Sequence, residues 1–152
     1  MRRATSPGAE CSEPQETASP QVTVMVVDDE PRVCRLFDKI LREEGYAVVT
    51  ASSGRQALAL AAEARPKLIL LDIVMPGMDG VATLRELRRR GHRAAVIMLT
   101  AQGTLQTARE AMMLGAYDYI TKPFNLEFLK SVLREGLRDP WHHGRRESAC
   151  AP

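Results

Sequence analysis

Leu68-Ile69-Leu70-Leu71 is an unbroken apolar run that ends abruptly on Asp72. A strand with apolar side chains on both faces has to be covered on both, which confines it to a parallel sheet held between layers of helices. Asp72 then falls where that strand leaves the sheet. Met75-Pro76-Gly77 turns the chain, and Asp79 is placed to cap the helix that follows. An aspartate after an apolar run is also an ordinary turn residue, so its meaning depends on what other segments bring to the same edge.

The same pattern recurs along the chain. Val22 to Val27 is a β-branched strand ending on Asp28-Asp29-Glu30, and Ala95 to Leu99 is a strand ending on Thr100-Ala101. Pro31 suits the first turn of a helix, and Val33, Leu36, Phe37, Ile40 and Leu41 give it an apolar stripe up to the stop at Gly45. Tyr46 to Thr50 is a further strand, and Ser52 or Ser53 opens an Ala-rich helix to about Ala64. A third helix runs from about Gly80 to Arg90 with Val81, Leu84 and Leu87 inward; a fourth starts near Thr104 and ends at Gly115. Tyr117-Asp118-Tyr119-Ile120 is a short fifth strand leading to Thr121-Lys122-Pro123-Phe124. Asn125 caps a fifth helix with Leu126, Leu129, Val132 and Leu133 inward. Five strands alternating with five helices predict an α/β domain over residues 22–138, its parallel sheet covered on both faces. Residues 1–21, rich in Pro, Ser, Thr, Glu and Ala, read as a disordered extension, and residues 139–152 as a flexible tail.

Composition narrows the function classes. A net charge of +2 is too mild to call for nucleic acid or an anionic membrane, and no apolar run approaches a membrane span. Met1-Arg2-Arg3 is followed by no apolar signal core before Val22. Cys11, Cys34 and Cys150 are far apart and lack CxxC spacing, which argues against disulfides and zinc. The expectation is a cytoplasmic protein with reduced thiols.

In open α/β sheets, ligands bind beyond the carboxyl ends of the strands. Here those ends carry Asp28 and Asp29, Asp72, Thr100 and, just after the fifth strand, Lys122. If the first and third strands are neighbours, three carboxylates converge. Two bare carboxylates about 4 Å apart repel by roughly 4 kcal/mol at an effective dielectric near 20, so the cluster needs a cation or a raised pKa. Oxygen-only ligands favour a hard cation such as Mg²⁺. The Lys122 ammonium and Thr100 hydroxyl both suit phosphoryl oxygens, and the set fits phosphoryl transfer to a carboxylate nucleophile.

With the motifs VVDDEP (Val26–Pro31), LLDIVMPGMDG (Leu70–Gly80), MLTA (Met98–Ala101) and YDYITKPF (Tyr117–Phe124), the chain resembles the receiver domain of two-component response regulators from about Val22 to Arg138. The resemblance implies a flavodoxin-like doubly wound parallel sheet of order 2-1-3-4-5. It implies that Asp72 accepts a phosphoryl group from a sensor histidine kinase or phosphotransfer protein. Asp29, Asp72 and the backbone carbonyl of Val74 would bind Mg²⁺ directly, with Asp28 reaching it mainly through water. Lys122 would pair with the phosphoryl group, and the Lys122-Pro123 bond would be cis. Thr100 and Tyr119 match the family's switch pair, which alters the surface of the fourth helix, fifth strand and fifth helix for a downstream protein target or a phosphorylation-dependent homodimer. Val74 and Gln102, two residues after Asp72 and Thr100, would tune the lifetime of the phosphoryl group, with moderate hydrolysis expected. Such a domain assists its own phosphorylation and dephosphorylation without being an enzyme on a separate substrate. Thr104 to Phe124 also resembles receivers attached to enhancer-binding activators. No output domain is visible, and a stand-alone regulator and a fragment of a longer protein both stay open.

Two other functions compete. A Mg²⁺-dependent aspartyl-phosphate phosphohydrolase needs a second Asp two residues after the nucleophile, where this chain has Val74. A phosphorylation-independent receiver-like module would be expected to lose acids or the lysine, and this chain keeps them. Blander readings apply elsewhere. Asp28 and Asp29 also suit a helix start, and Tyr119 serves as core as well as switch. The basic run Arg85, Arg88, Arg89, Arg90, His92 and Arg93 reads as a solvated face rather than a nucleic-acid patch. Met112-Met113 with Leu105 reads as partner surface or core, Cys34 as an inert apolar residue, and the Trp141-His142-His143 tail as no metal site.

Overall fold

A computed structural model describes residues 21–101 and 105–139. The expected alternation of strands and helices is present: β1 (Thr23–Val27), α1 (Pro31–Glu43), β2 (Ala47–Ala51), α2 (Gly54–Ala64), β3 (Leu68–Asp72), α3 (Gly80–Arg89), β4 (Ala95–Thr100), α4 (Leu105–Met113), β5 (Asp118–Thr121) and α5 (Leu126–Arg138). The strands form one parallel sheet in the order β2-β1-β3-β4-β5. Strand limits differ from the sequence reading by about a residue, because the ladders run on into the polar residues that end β3, β4 and β5.

The apolar run of β3 serves two cores at once. Leu68 and Leu70 pack on one face with Phe37 and Leu41 of α1 and Leu129, Val132 and Leu133 of α5. Ile69 and Leu71 pack on the other with Ala57, Leu58 and Ala61 of α2, Val81, Leu84 and Leu87 of α3, and Ala111 of α4. Alternate residues of a strand point to opposite faces, so only an apolar residue at every position fills both layers. The caps are those foreseen: the side chains of Ser53, Asp79 and Asn125 accept from the backbone N–H groups of Gln56, Ala82 and Phe128. Among the described residues no helix is long and apolar enough to cross a membrane.

Two helix faces differ from the predicted stripes. In α1, Leu36 is 55% exposed while Cys34 is buried with Phe37 and Leu41. Leu36 sits about 100° around the helix from Phe37, and the line 34-37-41 faces the sheet instead. In α5, Leu126 is 36% exposed, and Gly136 completes the inner face, close to Leu68 and Tyr117. The basic run is not uniformly solvated either. Arg88 is half-buried and donates to the carbonyls of His92 (2.9 Å), Ala94 (3.0 Å) and Gly115 (2.8 Å). Arg85 pairs with Glu110 of α4 at 2.9 Å, an exposed contact worth up to about 1 kcal/mol. Met112 packs against the core and Met113 is exposed, so the methionine pair divides between the two readings.

Candidate functional site

Sheet register alone brings the expected residues to one edge. Val27 pairs with Leu71, so Asp28 and Asp72 leave neighbouring strands side by side. Asp72 pairs with Leu99, and Thr100 with Thr121, which places Thr100 and Lys122 one step farther along. Backbone hydrogen bonds continue past the strand ends: Asp28 N–H to Ala51 O (3.1 Å), Ile73 N–H to Leu99 O (2.9 Å) and Lys122 N–H to Thr100 O (2.7 Å). The residues that bear the chemistry therefore stand on regular ladder geometry rather than on free loops.

Carboxylate oxygens of Asp28, Asp29 and Asp72 lie within 4.8 Å of one another; Asp28 and Asp72 are buried and Asp29 is exposed. The Lys122 ammonium is 3.4 Å from Asp28 Oδ2 and 3.9 Å from Asp72 Oδ1. Asp28 Oδ1 accepts from the Glu30 N–H at 2.9 Å, which fixes its carboxylate at the start of α1. Burial, followed by the charge of Asp28, pushes Asp72 up to about 6; Lys122 and the Val74 N–H pull the other way, and Asp29 adds a smaller push upward. One ammonium among three carboxylates leaves the cluster short of positive charge. Its all-oxygen donor set fits a hard divalent cation such as Mg²⁺, as receiver domains generally bind.

Thr100 is 1% exposed, and its hydroxyl has no hydrogen-bond partner among the described residues. Leaving a buried hydroxyl unsatisfied costs about 1–3 kcal/mol. Tyr119 pairs in register with Met98 and is half-buried against the α2–α4 side of the sheet. Val74 is 66% exposed beside the cluster. The Lys122-Pro123 peptide is cis. Gln102 lies outside the described residues, as does the Trp141-His142-His143 tail.

Sequence reasoning missed two supports of the site. Gly80 donates its N–H to Ile73 O at 2.8 Å, and a Cβ there would stand 2.3 Å from Asp72 O and 2.7 Å from Ile73 Cα. The start of α3 is thus packed directly on the backbone of Asp72 and Ile73. The available signal was a glycine opening a helix, where it is a poor helix former. Cys34 is not merely apolar filler: its thiol donates to Asp28 O at 3.4 Å, and burial pushes its pKa up.

The family model for the response regulator receiver domain matches residues 24–134. Regulatory protein AtoC of Escherichia coli strain K12 is 39% identical over 115 residues, covering 76% of this chain and 25% of that protein. Probable transcriptional regulatory protein TcrX of Mycobacterium tuberculosis is 38% identical over 117 residues, covering 77% of this chain and 50% of that protein. The chain therefore spans between a quarter and a half of the length of these curated relatives. Among solved structures, chemotaxis protein CheY4 of Vibrio cholerae is 32% identical with a TM-score of 0.72, over 76% of this chain and 98% of that one. A receiver domain protein of Methanospirillum hungatei is 28% identical with a TM-score of 0.76, over 79% and 96%. Taken with the strand order and the acidic edge, these matches establish that the chain belongs to the receiver domains of two-component response regulators.

Proposed function

We propose that Asp72 is the phosphoacceptor of a two-component phosphorelay, loaded by a sensor histidine kinase or a phosphotransfer protein. The carrying observation is the convergence of three carboxylates within 4.8 Å of one another, with the Lys122 ammonium within 4 Å of two of them. In the transfer a carboxylate oxygen of Asp72 attacks phosphorus, the N–P bond of a phosphohistidine breaks, and the electron pair leaves with the imidazole. Asp29, Asp72 and the Val74 carbonyl would hold Mg²⁺, and Asp28 would reach it through water. When bound, the cation would supply the charge that lets an anionic nucleophile meet an anionic phosphoryl group. Lys122 moves from its two carboxylates to a phosphoryl oxygen, and the orphaned Thr100 hydroxyl gains an acceptor there. Tyr119 follows inward, and the α4-β5-α5 surface is reset for a protein target or a second copy. The domain assists its own phosphorylation and dephosphorylation. The reading takes residues 22–138 as the folded receiver, acting in the cytoplasm. Its flanks, 1–21 and 139–152, fall almost entirely outside the described residues.

Intact-mass measurement after incubation with acetyl phosphate tests this reading. One phosphoryl adduct, mapped to the peptide containing Asp72, is expected with Mg²⁺ and none in EDTA. A folded protein that gains no adduct, either from acetyl phosphate or from phosphorylated kinases, is a phosphorylation-independent module instead. The lifetime of the adduct provides a second check. The apolar, exposed Val74 does not orient an attacking water, whereas Gln102 is placed in sequence to do so. Val74→Asn is therefore expected to shorten the adduct half-life several-fold, and an unchanged decay rate would count against a role for this position.

A further inference from the structure

At the pole of the sheet opposite Asp72 lies an open groove of about 1050 Å³, between the α2–β3 and α3–β4 connections. Arg65, Lys67, Arg90, His92 and Arg93 line it above a floor that includes Pro66, Ile69 and Leu137, and none of its lining residues is Asp or Glu. Arg90 is partly neutralised by Glu86 at 2.8 Å. Arg65 and Lys67 are exposed and make no ion pair among the described residues. Arg65 caps α2 in the left-handed region, with φ 49 and ψ 59, where glycine or asparagine is the usual occupant. A cationic side chain is thus held at a backbone position that favours none, and strain of this kind tends to collect at binding sites.

The chain itself supplies a complementary anion. Lys67 donates its N–H to Thr23 O at 2.9 Å, so the first residue of β1 stands beside the groove, while Val22 and Gln21 before it bond to Ala47 and Gly45 on the α1–β2 side. Ala4 to Gln21 contain Glu10, Glu13 and Glu16 and no Lys or Arg. Glu16 lies five residues before Gln21, an extended reach of about 17 Å. The other chain end also leaves at this pole, since Leu137 lines the groove, but there Arg145 and Arg146 offset Asp139 and Glu147, and His142 and His143 add no negative charge. Charge therefore selects the N-terminal segment. Exposed ion pairs are individually weak and screened over about 10 Å at 0.1 M salt. Tethering offsets that weakness, because a short linker holds its ligand at an effective concentration in the millimolar range.

We propose that the acidic segment Glu10–Glu16 docks on this groove, its carboxylates facing Arg65, Lys67 and Arg90, and covers the pole remote from the phosphoacceptor. The contact stands whether or not Asp72 takes a phosphoryl group. Cys11 lies inside the segment and Cys34 is buried, so a spin label on the Cys150→Ser variant of residues 1–152 goes to Cys11. At low salt the label is expected to attenuate the amide resonances of Arg65 to Lys67 and Gly91 to Ala94. The resonances should recover at high salt and in a Glu10→Gln, Glu13→Gln, Glu16→Gln variant, whose spectrum also reports that the fold is intact. Recovery in Arg65→Gln, Lys67→Gln would complete the case from the groove side. Attenuation that never appears, or that persists in the triple variant, overturns the proposal. So does attenuation that arises only from a label on Cys150 in a Cys11→Ser protein, which would assign the groove to the C-terminal tail.

Discussion

Asp72→Asn is expected to take up no phosphoryl group and yet to unfold at a higher temperature than the parent protein in EDTA at pH 7. The carboxyl of Asp72 titrates at about 6 in the folded protein against an ordinary value of 3.8, because burial and the Asp28 charge disfavour its anion. Between those values the folded protein binds more protons than the unfolded chain, so stability falls as pH rises through this window and stays lower above it. Asparagine carries no charge and removes the penalty. At about 1.36 kcal/mol for each pH unit, the full shift corresponds to roughly 3 kcal/mol, and water reaching the open site reduces that to about 1–2 kcal/mol. For a domain of this size the gain is roughly 5–10 °C in Tm. It should shrink toward nothing near pH 4, where Asp72 is protonated in the parent as well. Added Mg²⁺ should stabilise the parent more than the variant, because the bound cation needs the carboxylate. A variant that melts below the parent in EDTA at pH 7 would show that the acidic edge is not electrostatically frustrated.

Gly80→Ala should cost far more than its chemistry implies. In an open helix the change would gain up to about 1 kcal/mol of helix propensity. Here the new methyl would stand 2.3 Å from Asp72 O and 2.7 Å from Ile73 Cα, and both are backbone atoms that cannot swing aside. Either α3 lifts from the sheet or the Asp72 backbone shifts, and overpacking of this kind costs about 3 kcal/mol. Chemistry should suffer with stability, since a displacement of about 1 Å at a reacting group can lower a rate roughly 100-fold. Urea unfolding and the rate of adduct formation from acetyl phosphate measure the two effects separately. A Gly80→Ala protein as stable as the parent would mean that α3 is free to move relative to Asp72.

The strands and the acidic edge were legible in the sequence because each depends on local pattern. β3 announces itself through four apolar residues in a row, and Asp72, Thr100 and Lys122 follow directly from where the strands end. What escaped depends on the third dimension. Whether Cys34 or Leu36 faces inward is set by the angle at which α1 meets the sheet, and an apolar stripe wide enough to include both cannot decide it. Arg88 looked like one arginine among five, and only the meeting of two loops from different parts of the chain reveals the carbonyls it serves. Gly80 was read as the start of a helix, and the structure adds that it leaves room there for the backbone at the end of the preceding strand, β3.

The three carbonyls held by Arg88 have a mechanical consequence. Gly115 O closes the C-terminal end of α4, and the same guanidinium grips the segment that feeds β4. That end of α4 is thereby tied to the α3–β4 connection. Its opposite end adjoins the residues after Thr100. Under the proposed switch, a rearrangement begun at Thr100 would meet α4 at its first turn, while Arg88 holds the carbonyl that follows its last turn.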